Sequence, residues 1–293
     1  MRAVKEKANA KINLYLDVIA KREDGFHDIK TIMHSISLAD EITVMYSPSD
    51  EQNIRVSIKG NNFLPTDERN LAYRAAKLYL DTADKNANID IRLDKRIPIA
   101  AGLAGGSSDA AATLRAMNRI FGKMFSERAL FKMAEQLGSD VPYCLYGKTA
   151  LCEGRGEIIT KLPDTLKLNV VIAIANEHVS TPEAYSALDS MYSSFDGSKQ
   201  TGGEEYYVSI IDAIKKGQPN TDNLFNIFEG AVLPECKGAS GIKKRLLELG
   251  ANSALMSGSG PSVFGIFKNE NQAKKAVEYL QGENITAHYA KSV

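Results

Sequence analysis

The sequence predicts an α+β protein of two domains, and three observations carry that prediction. The chain has 293 residues, enough for two modest cores. Its early part alternates period-two apolar strands with amphipathic helices around one glycine-rich loop. Its later part, from Leu168 to Ala290, runs strand, helix, strand, strand, helix, strand. That is the order of a split βαβ, ferredoxin-like unit. The expected division is 1–162 and 163–293.

Composition narrows the function. Hydrophobic residues make up 44% and charged residues 25%, as in ordinary soluble globular proteins. The 36 Lys and Arg residues balance the 36 Asp and Glu residues, so no basic field points to nucleic acid or to an anionic membrane. A small molecule is the expected partner. Cys144, Cys152 and Cys236 form no Cys-x-x-Cys pair and leave an odd count, which argues against a zinc site or a disulfide framework. A reducing cytoplasm follows as the expected location. The first nine residues lack the apolar core of a signal peptide, and no apolar run reaches the roughly eighteen residues of a membrane span.

Taken in order, Ala10 to Val18 alternates Ile12, Leu14, Leu16 and Val18 against Lys11, Asn13, Tyr15 and Asp17, a half-buried strand. Lys11 and Asn13 share its polar face, which either borders a cleft or faces solvent. Arg22 to His27 is a turn signalled by Asp24-Gly25. Phe26 and His27 either bracket a ligand ring or are an ordinary loop pair. Strands are expected over Ile29–Leu38, Ile42–Tyr46 and Ile54–Ile58. A helix is expected over Thr66–Ala83, capped by Thr66 or Asp67 after Pro65.

A strand at Ile89–Leu93 then leads to the central feature, Pro98-Ile99-Ala100-Ala101-Gly102-Leu103-Ala104-Gly105-Gly106-Ser107-Ser108. Gly102, Gly105 and Gly106 permit positive φ and a close backbone approach to an anion. Ser107, Ser108 and Asp109 offer N-cap chemistry to a helix opening at Ala110 and ending at Gly122. Free N–H groups and the helix dipole suit a phosphate there, and a nucleoside triphosphate in particular. It is no Walker A loop: the one Gly-Lys-Thr, at Gly147 to Thr149, has Pro142 where the first glycine belongs. Nor does it carry the Gly-x-Gly-x-x-Gly spacing of a dinucleotide site.

Further on, a helix from Ser126 ends at Gly138. Asp140 follows on a bend before an expected apolar strand, either aimed into a cleft or closing an Asx turn. Leu168–Ala175 reads as a buried strand, and Thr181-Pro182 opens a helix to Leu188. Ser193 to Glu204 is the most loop-like stretch and is expected to be mobile. Helices at Tyr206–Lys216 and Ile242–Leu249 come next. Strands at Ser253–Met256 and Ser262–Phe267 flank a second glycine turn, Ser257-Gly258-Ser259-Gly260-Pro261. It is a tight hairpin that either stands alone or meets the first loop. A helix at Asn271–Leu280 and a strand at Thr286–Ala290 complete the order.

The loop, Ala10-Lys11-Ile12-Asn13-Leu14 and Ser257 to Pro261 together resemble, in order, the three motifs of the GHMP kinases. That resemblance implies an N-terminal domain like ribosomal protein S5 domain 2 that binds ATP, and a C-terminal ferredoxin-like domain. Arg22-x-Asp24-Gly25-Phe26-His27 and Gly138-Ser139-Asp140-Val141-Pro142 are similar to signatures of the branch that phosphorylates the 2-hydroxyl of a cytidine-diphosphate-linked polyol on the non-mevalonate route to isoprenoids. The resemblance implies Lys11 and Asp140 as the catalytic pair. It implies ATP along residues 98–108 with Asn70 beside it, and magnesium near Ser108. Asn13, Phe26 and His27 then meet the cytidine end. Many relatives have tyrosine where Phe26 stands; stacking survives that change and a hydroxyl bond does not. A homoserine or mevalonate kinase of the same superfamily is one alternative, and a nucleotide-binding regulator that has lost catalysis is the other.

Overall fold

The computed structural model describes residues 2–60, 63–192, 203–217 and 223–293. The chain forms two compact units, each assembled from several stretches. The first unit takes residues 1–10, 39–97 and 104–147, and the second takes residues 11–38, 98–103 and 148–293.

Strands β1 (Arg2–Lys21) and β2 (His27–Ser47) contribute one end to each unit. In the first unit they are followed by β3 (Asn53–Lys59), α1 (Leu71–Ala83), β4 (Asn88–Asp94), α2 (Gly105–Ile120), α3 (Glu127–Leu137) and α4 (Val141–Tyr146). The sheet order there is β3-β4-β2-β1. β4 lies parallel to β3, Ile54 opposite Ile89, and antiparallel to β2, Val44 opposite Ile91.

The core of this unit is Ile42, Val44, Ile89 and Ile91 under Tyr79, Leu80, Leu114 and Met117. Alternation on the strands and 3.6-residue spacing on the helices produce this arrangement. Ala72, Ala75 and Ala76 of α1 pack in the same cluster as Ala110, Ala111 and Ala116 of α2. Such small side chains let two helices approach closely. Tyr79 is fully buried and its hydroxyl donates to Asn118 Oδ1 at 3.0 Å, so its ring contributes about 2 kcal/mol without an unmet polar group.

The second unit continues with β5 (Thr149–Gly154), β6 (Ile158–Lys161), β7 (Asn169–Ile174), α5 (Thr181–Met191), α6 (Gly203–Lys216), β8 (Phe225–Asn226), α7 (Phe228–Val232) and α8 (Lys237–Glu248). Then come β9 (Ser253–Met256), β10 (Ser262–Phe267), α9 (Glu270–Gly282) and β11 (Thr286–Lys291). One sheet runs β6-β5-β2-β1-β8. The other is an antiparallel sheet ordered β11-β7-β10-β9, the strand order of a split βαβ unit. The continuous apolar run of β7, Val170 to Ala173, is fully buried at its centre. Among the described residues no helix is long and apolar enough to cross a membrane, and no disulfide joins the three cysteines.

Several elements differ from the sequence expectation. Ile29–Leu38 and Ile42–Tyr46 are one strand, because Asp40 at their junction is buried and fully engaged. Its carboxylate accepts from the Ile97 amide at 2.8 Å and from Lys95 Nζ at 2.5 Å. Helix α1 starts at Leu71 rather than Thr66, since Asn70 Oδ1 caps Ala72 N at 2.9 Å while Asp67 closes a turn onto Arg69 N. Val141–Tyr146 is a short helix and not a strand; Pro142, within its first two positions, suits a helix start. Ser180, not Thr181, caps α5. Of the stretch expected to be a mobile loop, residues 193–202 lie outside the described residues, and Gly203 and Glu204 begin α6.

Candidate active site

In the first unit, the strand β4 and the helix α2 converge on one buried ammonium. Lys95 Nζ lies 2.5 Å from Asp40 Oδ2 and 2.6 Å from Asp109 Oδ2, and all three side chains are at most 5% exposed. Asp109 Oδ1 is buried without a hydrogen-bond partner. Burial pushes the Asp109 carboxyl up, Lys95 opposes that and Asp40 adds to it. This knot fixes the start of α2 relative to the end of β4.

Helix α2 opens earlier than the sequence suggested. It begins at Gly105, with Ala104 at the N-cap in the left-handed region (φ 57) and no side chain capping it. Ser107 and Ser108 are therefore inside the first turn instead of capping a later one. Ser108 is buried, and its hydroxyl donates to the Asn9 carbonyl at 2.6 Å. The left-handed corners fall on Ala100, Gly102 and Ala104, while Gly105 and Gly106 are helical. Gly105 instead makes a close approach: a Cβ there would stand 3.2 Å from Ile97 Cγ2, so a larger residue would have to push that side chain aside. The result is a helix of 16 residues whose first N–H groups have no side-chain acceptor, which suits a phosphate.

Asn70 and Asp140 are in the same unit. The Asn70 amide donates to the Pro65 carbonyl at 2.8 Å as well as capping α1, so it braces the turn where Leu71 meets Gly106. Asp140 is half-buried at the start of α4, in right-handed backbone geometry, and its carboxylate does not cap the helix.

In the second unit the first and third motifs meet. Lys11 is 4% exposed, and its Nζ donates to Asn13 Oδ1 at 2.7 Å. The Gly258 amide donates to the same oxygen at 3.0 Å. Asn13 Nδ2 donates to Thr31 Oγ1 at 2.8 Å, and that hydroxyl donates to the Tyr15 carbonyl at 2.6 Å. The polar face of β1 is thus buried and wired, not solvated.

The second glycine turn also touches the first loop. Ser257 Oγ donates to the Gly102 carbonyl at 3.0 Å, and Ser262 Oγ donates to the Ala101 carbonyl. The Lys11 amide reaches the Leu103 carbonyl at 3.2 Å. Gly102 (φ +72) has no room for a side chain, since a Cβ would collide with the Ser257 carbonyl.

The other end of β1 carries a second group of side chains. Phe26 is 53% exposed, with the Arg155 guanidinium 5.0 Å from its ring centroid. The His27 side chain is 5% exposed; its ring stacks on Tyr185 at 4.6 Å, and Nε2 meets Asp189 Oδ1 at 2.7 Å. Lys21 Nζ pairs with the other Asp189 oxygen at 2.5 Å. Partial burial would raise the Asp189 carboxyl, but the hydrogen bonds from Lys21 and His27 outweigh it and hold it low. Tyr185 and Asp189 were not singled out in the sequence. Their signal was present as an aromatic and a carboxylate four apart on α5, one helix turn, facing the same way.

Comparisons with known proteins show the family. The family model described as GHMP kinases N terminal domain matches residues 70–148, and GHMP kinases C terminal matches residues 210–285. A 4-diphosphocytidyl-2-C-methyl-D-erythritol kinase of Bacillus subtilis is 42% identical over 279 residues, covering 94% of this chain and 92% of the relative. The kinase of that name from Macrococcus caseolyticus is 40% identical over 281 residues, covering 94% and 95%. A crystal structure of 4-(cytidine 5'-diphospho)-2C-methyl-D-erythritol kinase superposes with a TM-score of 0.79 at 32% identity, over 98% of each chain. A homoserine kinase from Cytophaga hutchinsonii superposes at 0.78 with 22% identity, which is a likeness of fold.

The matching N- and C-terminal family models, on a fold with an uncapped α2 and a buried lysine on β1, define a small-molecule kinase of the GHMP class. Within that class, the chain belongs to the family of 4-diphosphocytidyl-2-C-methyl-D-erythritol kinases.

Proposed function

We propose that the chain transfers the γ-phosphoryl group of ATP to the 2-hydroxyl of 4-diphosphocytidyl-2-C-methyl-D-erythritol, a step in the non-mevalonate isoprenoid route. The observation that carries this reading is the buried Lys11 ammonium, held at 2.7 Å by an Asn13 oxygen that the Gly258 amide also grips. A fixed cation of that kind stabilises charge developing at a transferring phosphoryl group. Asp140 accepts the proton of the attacking hydroxyl as general base. Lys11 lowers the pKa of that hydroxyl and offsets charge on the phosphoryl oxygens. The start of α2 and residues 98–108 hold the triphosphate in line, with Asn70 bracing the adjoining turn.

At the far end of β1, Phe26 offers one ring face to the cytosine and His27 a polar edge held by Asp189. Asn13, Phe26 and His27 are the proposed cytidine-side contacts. Among the described residues no three His, Cys, Asp or Glu side chains form a metal cluster. A magnesium ion would be held chiefly by the nucleotide phosphates, as suits its preference for water and phosphate oxygens. Ser108, whose hydroxyl donates its proton to the Asn9 carbonyl, is the proposed protein oxygen near it, and the ion would supply charge neutralisation there. The domain division at 162 is supported by family matches lying on either side of it. The balanced charge supports a small-molecule partner and no nucleic acid, and the cytoplasm is the proposed location.

The test is ADP release by the purified protein with ATP, magnesium and the cytidyl substrate, run beside homoserine and mevalonate. Turnover with the cytidyl substrate alone is the expected result. Turnover with another alcohol would keep the phosphate site and discard the roles given to Phe26 and His27.

A further inference from the structure

We propose that Asn226 is a positioning residue for the phosphoryl-transfer step: it sets the Gly258 turn, and through that turn the Asn13–Lys11 pair. The proposal rests on Lys11 being catalytic, as read above. Asn226 is 4% exposed and forms part of the two-residue strand β8 beside β1. Its Nδ2 donates to the carbonyls of Met256 and Gly258, both at 2.8 Å, and its Oδ1 accepts from the Phe228 amide at 3.0 Å. A side-chain amide is suited to this, since it brings two donors and an acceptor on one short planar group.

Gly258 is consequently gripped at both ends. Asn226 holds its carbonyl, and its amide donates to Asn13 Oδ1. The preceding Met256 is gripped in the same way, its carbonyl by Asn226 and its amide by Glu229 Oε1 at 2.9 Å. Glu229 is in turn fixed by Lys243 at 2.5 Å. Gly258 stands in a left-handed conformation (φ +58), one of several open to a glycine, and these hydrogen bonds select it.

The consequence for Lys11 is geometric. Asn13 Oδ1 has two lone pairs; the Gly258 amide takes one and the Lys11 ammonium the other. The orientation of the Asn13 amide is settled by Thr31, whose own proton goes to the Tyr15 carbonyl and which must accept from Nδ2. A Cβ on Gly258 would also lie 3.4 Å from Lys11 Nζ and 3.2 Å from the Gly102 carbonyl. The bare Cα of Gly258 and the amide beside it therefore form one wall of the ammonium's seat. If the turn shifts, Nζ shifts with it. Displacement of a reacting group by about 1 Å costs on the order of a hundredfold in rate.

The experiment compares Asn226→Asp, Gly258→Ala, Asn13→Ala and Lys11→Ala in the full chain. It measures kcat, KM for ATP and for the cytidyl substrate, and the thermal midpoint. Asn226→Asp keeps the Phe228 contact and loses both donors. The expected result is a kcat about ten- to a hundredfold lower with KM for ATP changed less than about threefold, and the same split for Gly258→Ala. In the Asn13→Ala background the Asn226→Asp loss should shrink, because the relay is already cut. A fall in thermal midpoint with kcat per folded molecule unchanged in both turn variants would overturn the proposal, as would full additivity with Asn13→Ala. An inactive Lys11→Ala beside a fully active Asn226→Asp removes this proposal alone. A fully active Lys11→Ala removes the catalytic reading beneath it as well.

Discussion

The imidazole of His27 and the ring of Tyr185 are stacked, with centroids 4.6 Å apart and planes 22° from parallel. Asp189, one helix turn beyond Tyr185, holds Nε2 of the same imidazole at 2.7 Å. Face and edge of the histidine are therefore fixed by a single turn of α5, and its tautomer follows from the carboxylate, as a donor on Nε2.

Asp189→Ala should free that ring while leaving α2 untouched. The loss of one charge-assisted hydrogen bond, about 1.5 kcal/mol, corresponds to roughly a tenfold rise in KM for the cytidyl substrate. KM for ATP should stay within about twofold. An equal rise in both constants would contradict a role confined to the cytidine end.

Asp140→Asn removes the proposed base and keeps the shape of the α4 start, since the wild-type carboxylate caps nothing there. Turnover should fall by about a hundredfold to ten-thousandfold, with little change in binding of the cytidyl substrate measured by calorimetry. Turnover within about threefold of wild type would remove Asp140 as the base.

What the sequence made legible was what neighbours in the chain decide. Alternation placed β1, a continuous apolar run placed β7, helical spacing placed most of α1, and Ser126 and Gly138 bounded α3 as expected. What it concealed depended on partners far along the chain. The two strands expected over Ile29–Leu38 and Ile42–Tyr46 run on as one through Asp40, whose carboxylate accepts from Lys95 and the amides of Arg96 and Ile97, donors more than fifty residues away. The role of Asn226 is set by Met256 and Gly258, thirty or so residues on. The left-handed corners at Ala100 and Ala104 ran against the ordinary cost of that conformation for a residue with a Cβ. In this loop the glycines are spent partly on close approach to Ile97 and Ser257, a demand no local pattern reveals.

Lys95→Met tests the buried knot at the base of α2. It would leave the carboxylates of Asp40 and Asp109 facing each other at 5% exposure or less. Removing one partner of a buried charge network costs about 3–5 kcal/mol, read as a lower urea midpoint at unchanged slope. Adding Asp109→Asn to that variant should recover part of the loss, because one uncompensated charge goes. A double variant no more stable than Lys95→Met would show that the two side chains do not interact.

His34 supplies a pH dependence of known sign. It is wholly buried, with Nδ1 at 2.9 Å from Thr149 Oγ1 and Nε2 at 2.8 Å from Ser292 Oγ. Burial depresses it to about 4 from 6.5 in the folded protein. The unfolded chain therefore binds a proton that the folded one refuses. The contribution is complete above pH 6.5 and is lost as pH falls toward 4. At about 1.4 kcal/mol per pH unit, the loss between pH 7 and pH 5 is about 2 kcal/mol. Urea unfolding at pH 7, 6 and 5 should follow that decline, and His34→Gln, neutral throughout, should flatten it over the same window. An identical slope in the variant would assign the decline to other groups.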